Sequence, residues 1–180
     1  ISTSCSVVED RSTVGAGTAG GDGLANSFFS SSGADTTTLT NVSNWTGGDQ
    51  VDTFTLSHNV TGTVAGGDGN DMFNYVTGTI GLVDGGAGTD RIVASRDDNI
   101  ALTNTQLTVG ADTVDITSIE AATLTGGAGD NTINAATFTG TVIVNATDGA
   151  DAVTGVDGAV AGAPGRPPFT RPSISMEPTR

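Results

Sequence analysis

The sequence predicts an all-β chain, a β-solenoid with about 19–20 residues per coil, and two observations carry that prediction. The pattern Gly-Gly-x-Gly-x-Asp-x-apolar-x recurs, whole or degenerate, with its sixth positions at Asp52, Asp71, Asp90, Asp112, Asn131 and Asp151. The composition is the second observation. Glycine supplies 27 of 180 residues, lysine is absent, and 17 of the 20 acids are aspartate. A short carboxylate close to its own backbone suits turns and oxygen-cage metal sites, whereas helix surfaces favour glutamate.

Residues 1–40 contain only echoes of the repeat, at Gly20-Gly21-Asp22-Gly23 and Gly33-Ala34-Asp35, and are expected to form a cap or degenerate first coils. The solenoid proper is expected over 41–158. Its first turn, Gly47-Gly48-Asp49-Gln50-Val51-Asp52, loses its third glycine to Gln50. The segments at 66–74 and 85–93 match the pattern strictly, that at 126–134 puts Asn131 at position six, and those at 110–114 and 149–153 keep only its second half. Successive sixth positions are 19, 19, 22, 19 and 20 residues apart. Such a period fits one coil of two short strands and two turns, coils stacking ~4.8 Å apart, so that six would span roughly 30 Å. Glycines supply the tightly approached positions of one turn. The apolar eighth position (Phe54, Phe73, Ile92, Val114, Ile133, Val153) is expected to point inward, with a second strand in each coil at 61–64, 77–80 and 139–142. Trp45 is expected in the core. Beyond 158 the composition breaks, because all five prolines lie in 164–178. Residues 1–158 carry 19 acids and three arginines (net −16), and 159–180 carry one acid and three arginines (net +2). That tail is expected to be a disordered extension.

At these residues the sequence resembles the haemolysin-type (RTX) calcium-binding repeat, over about residues 42–157 and strictly at 66–74 and 85–93. The segment 118–125 before Gly126 is similar to connectors of large, degenerate secreted members. The resemblance implies a right-handed parallel β-roll or β-helix with calcium between equivalent turns of successive coils. It implies position-six carboxylates as ligands, hence Asp52, Asp71 and Asp90, and turn carbonyls such as those of Gly66 and Gly85. Asp49 and Asp68, at position three, are further candidates; Asp130 and Asp151 are candidates in the weaker repeats. Calcium takes six to eight oxygens, which two facing turns can supply. With one nonapeptide per coil, a single edge of the solenoid is expected to carry metal. The competing reading is that each Gly-Asp segment is only a turn that its aspartate caps.

Function classes are excluded on charge. A formal charge of −14 argues against nucleic acid and against an anionic membrane surface, and no apolar stretch is long enough for a membrane helix. Cys5 is the only cysteine, which removes a disulfide framework and cysteine-based zinc. His58 lacks triad partners, and Asp97-Asp98 reads as a solvated loop, so no enzyme is expected. The chain opens on Ile1 with no basic n-region and apolar core, so no signal peptide is visible in it, and it reads as a segment of a larger extracellular bacterial protein. The expected function is a calcium-stabilised scaffold of an adhesin-like or surface-layer-like protein, with cell-surface or matrix components as partners. The alternatives are the non-catalytic calcium-binding region of a secreted hydrolase or toxin, and an ice- or glycan-binding face. The last needs Thr-x-Thr pairs in register, and their offsets from the repeat do not align.

Overall fold

From Asn44 onward apolar residues alternate with Thr, Asn and Ser, a period of two that gives each strand one apolar face. The computed structural model describes residues 17–20, 27–29, 36–40, 44–57, 59–155 and 160–162. Among these described residues the chain is all-β. In chain order the strands are β1 (Gly17–Gly20), β2 (Ser27–Phe29), β3 (Thr36–Thr40), β4 (Asn44–Thr46), β5 (Thr53–Leu56), β6 (Val60–Asp68), β7 (Met72–Tyr75), β8 (Ile80–Ala87) and β9 (Arg91–Ser95). They continue as β10 (Ile100–Thr103), β11 (Gln106–Val109), β12 (Asp112–Thr117), β13 (Ala121–Thr125), β14 (Thr132–Thr137), β15 (Thr141–Thr147), β16 (Ala152–Thr154) and β17 (Val160–Gly162).

Strands alternate between two sheets. The first runs β1-β3-β5-β7-β9-β13-β15-β17 and is parallel throughout. The second runs β16-β14-β10-β11-β12-β8-β6-β4-β2. It is parallel except at β10-β11-β12, where the chain doubles back twice in antiparallel pairs. That excursion puts two more strands into the second sheet while the first passes directly from β9 to β13.

Side chains of one kind stack across neighbouring strands. In the first sheet Phe54, Phe73, Ile92, Ala122 and Val142 form one inward row, and Leu56, Tyr75, Ala94, Leu124 and Val144 the next. In the second sheet Trp45, Val64, Val83 and Ile116 align, as do Val60, Ile80, Val114, Leu107 and Leu102. Phe54 stacks on Phe73 at 5.0 Å between centroids, and Trp45 meets Phe54 edge-on at 5.9 Å. Trp45 is therefore core, as its sequence context indicates. The eighth positions Phe54, Phe73, Ile92, Val114 and Ile133 are buried, and Val153 packs against them.

Three expectations need correction. The Thr-Gly segments at 77–78 and 139–140 are turn rather than strand, and their strands begin at Ile80 and Thr141. Val160–Gly162, assigned to the tail, forms β17 and pairs with β15. The third concerns the period. The circuit that starts at Asp90 closes at Glu120, 30 residues on, not at Asp112, 22 residues on, because β10–β12 intervene and Asp112 opens a strand of the second sheet. His58 lies outside the described residues. No helix among the described residues is long and apolar enough to cross a membrane.

Candidate functional site

The turns 47–52, 66–71 and 85–90 carry the chain from the second sheet to the first and stack on one edge. The backbones lie against one another, with Gly67 paired to Gly86 and Asp68 to Ala87. A Cβ on Gly66 would collide with the Gly85 carbonyl oxygen and with Asp71 Oδ2, so only glycine fits. Gly67 and Gly86 have φ of 108° and 97°, a left-handed conformation that side chains resist.

Each turn ends in its position-six aspartate, folded back beneath the glycines. Asp52, Asp71 and Asp90 are fully buried. They form a ladder that runs along the edge. Asp52 N–H donates to Asp71 Oδ1 at 2.7 Å, Asp71 N–H donates to Asp90 Oδ1 at 2.7 Å, and Asp90 N–H donates to Glu120 Oε2 at 2.9 Å. Within its own turn Asp52 Oδ2 accepts from Gly48 N–H at 2.8 Å. Asp71 Oδ2 and Asp90 Oδ2 are buried and have no hydrogen-bond partner. Two buried anionic oxygens are thereby left uncompensated, which is costly unless a proton or a cation meets them. Burial pushes the Asp71 carboxyl up to about 6, with the charges of Asp52 and Asp90 adding to it against the opposing Asp52 amide bond. Burial likewise raises Asp90, and Glu120 and Asp84 reinforce it.

The remaining predicted ligands are placed differently. Asp49 and Asp68 are exposed on the turn surface. Asp130 and Asp151 do not belong to this edge at all. The turns 126–131 and 147–151 carry the chain from the first sheet to the second, so they lie on the opposite edge. The expectation that the repeat turns share a single edge is thus corrected: they occupy two edges, exchanged where β10–β12 intervene. On the second edge Asn131 N–H donates to Asp151 Oδ1 at 2.9 Å, and Ala150 N–H donates to Asp130 Oδ1. Asp97 is exposed yet ordered, accepting from Gly129 N–H at 3.0 Å and from Asn131 Nδ2 at 3.2 Å. Asp98 pairs with Arg96 at 3.1 Å, and Arg96 also reaches Asp112 Oδ2 at 2.6 Å.

Sequence reasoning missed Glu120, which takes the position-six rung below Asp90 without any glycine pair before it. The register of Ala122 and Leu124 with Ile92 and Ala94 is the signal that locates it. It also missed the asparagine clips: Asn44, Asn59 and Asn70 each accept an amide from one coil along, at Thr63, Thr79 and Thr89.

Calcium can be tested against these donors. Among the described residues no group of three or more His, Cys, Asp or Glu is close enough to hold a metal. A cation on the first edge would therefore take carboxylate oxygens from Asp71 and Asp90 and draw the rest from turn carbonyls and water, a donor set calcium accepts. The two orphaned oxygens fit that role. No family model, curated protein or solved structure matches the chain.

Proposed function

We propose that this chain is a parallel β-solenoid module whose first edge is stabilised by calcium, and that it serves as a scaffold rather than a catalyst. Alternation of short parallel strands between two sheets, with rows of like side chains stacked from coil to coil, supports the solenoid reading. A right hand follows from the rule for parallel crossovers. The observation that carries the calcium reading is the pair of buried, unpartnered oxygens, Asp71 Oδ2 and Asp90 Oδ2, beneath the stacked glycine turns. Asp52, Asp71 and Asp90 are the rungs concerned, with Gly66 and Gly85 as the backbone that only glycine permits.

Weak oxygen sites of this kind match the roughly millimolar calcium of extracellular fluid, and binding to the folded state alone converts metal into fold stability. The module then acts outside the cell, as the rigid part of an adhesin-like or surface-layer-like protein. An ice-binding face is less well supported, because the outward row that includes Thr55 continues as Asn74, Val93, Thr123 and Ile143. The test is calcium titration of the chelated chain, followed by circular dichroism and calorimetry. A β-content and melting temperature indifferent to calcium would remove the metal from the reading and leave the scaffold.

A further inference from the structure

The two edges carry similar glycine turns but close them differently. On the first edge every rung from Asp52 to Glu120 is a carboxylate, and two of its buried oxygens lack partners. On the second edge the buried rung is Asn131, only 5% exposed, and both the oxygen and the nitrogen of its side chain are hydrogen-bonded. Its Oδ1 accepts from Gly127 N–H at 2.8 Å and its Nδ2 donates to Asp97 Oδ1 at 3.2 Å, while its own N–H donates to Asp151 at 2.9 Å. The amide thus does what a carboxylate could not, offering a donor to the neighbouring acid. Arg96 sits on the same edge and meets Asp98 and Asp112. Amide and backbone donors thus meet the carboxylates of Asp97, Asp130 and Asp151, and Arg96 meets two more.

We infer that Asn131 is the residue that makes the second edge independent of cations, so that calcium tightens the turns before β10 while the turns after β12 hold without it. This rests on the calcium reading of the first edge, and the hairpin β10–β12 is the boundary, since it is there that the glycine turns change sides. Two carboxylates at 131 and 97 would face one another where a donor now meets an acceptor, and only a cation or a proton would relieve that contact.

The experiment is hydrogen exchange resolved by peptide on the full chain, in chelator and in calcium at roughly ten times its dissociation constant. Calcium should slow exchange about tenfold in peptides spanning 66–95. It should change peptides spanning 126–151 by less than about twofold. Asn131→Asp should make 126–151 exchange at least about tenfold faster in chelator, and adding Asp97→Asn should restore the parent rate. Equal calcium protection on both sides of the hairpin in the parent would overturn the inference. So would an Asn131→Asp chain as protected in chelator as the parent. If no parent peptide responds to calcium, the reading of the first edge fails by itself; the chelator rates of Asn131→Asp and its Asp97→Asn partner still decide the role of Asn131.

Discussion

Replacing Asp71 by Asn separates the two things its carboxylate does. One oxygen accepts the Asp52 amide at 2.7 Å, a bond that Asn retains, and the other is buried without a partner, a charge that Asn removes. Asn131 shows that an amide fits the equivalent position of a similar glycine turn, its oxygen there accepting from Gly127 within its own turn as Asp52 Oδ2 does from Gly48. A rise from 3.8 to about 6 corresponds to at most ~3 kcal/mol against the ionised form. Water at the edge of the turn screens part of that, so Asp71→Asn should gain about 1–2 kcal/mol in chelator at neutral pH. For a chain of this size each kcal/mol moves the melting temperature by roughly 2–4 °C. In calcium the order reverses, since the parent gains from the metal and the variant has lost a ligand oxygen. Asp71→Ala tests the other half. It strands the buried Asp52 amide and should fall below Asp71→Asn by about 1–3 kcal/mol whether or not calcium is present. Paired calorimetric scans of the three chains decide the matter. An Asp71→Asn chain that melts below the parent in chelator, or that keeps the parent's whole calcium response, would refute the reasoning.

Glu120→Ala should lower stability by about 1–2 kcal/mol by stranding the Asp90 amide, whereas Glu120→Gln should stay near the parent; urea unfolding separates them. Phe73→Ala removes a fully buried ring stacked on Phe54 and should cost ~3–5 kcal/mol in the same assay, with or without calcium. The pH dependence in chelator follows from the raised Asp71 and Asp90 carboxyls. A group whose folded value is raised contributes stability below its unfolded value near 3.8 that is lost as pH climbs through about 6. The melting temperature should therefore be higher at pH 5 than at pH 7 without calcium, and a fall on acidification over that range would count against the buried carboxylates.

Much of the fold could be read from local pattern. Alternation of Val, Ile and Phe with Thr placed the inward rows, and the 19-residue spacing of Asp52, Asp71 and Asp90 is the spacing at which each backbone amide donates to the next carboxylate. The circuit between Asp90 and Glu120 was not read, although its signals are present. Residues 100–117 hold three apolar pulses, and the breaks at Asn104-Thr105 and Gly110-Ala111 are each two residues long, the length of a hairpin turn. A glycine-aspartate echo at 110–112 masked them, because Asp112 falls close to the expected period. Gly110, with φ of 60°, serves the β11–β12 turn, and Asp112 serves Arg96. Side identity was illegible for a related reason: a repeat fixes the conformation of a turn, but the number of strands between repeats fixes which edge it occupies.

That distinction explains why the repeat can degenerate while the stack persists. A strand joins its sheet through backbone hydrogen bonds and through whichever apolar side chain falls on the inward row, and neither depends on a carboxylate at position six. Thus β13 and β15 continue the inward rows although the turn ahead of β13 ends in Glu120 and that ahead of β15 in Gly140. The glycine turns are more demanding, since their backbones touch and a side chain has no room at Gly66 or Gly85. Chemistry therefore concentrates where three such turns stack in succession and bury Asp52, Asp71 and Asp90. Placing the later glycine turns on the other edge, as β10–β12 do, breaks that succession of glycine turns at Asp90.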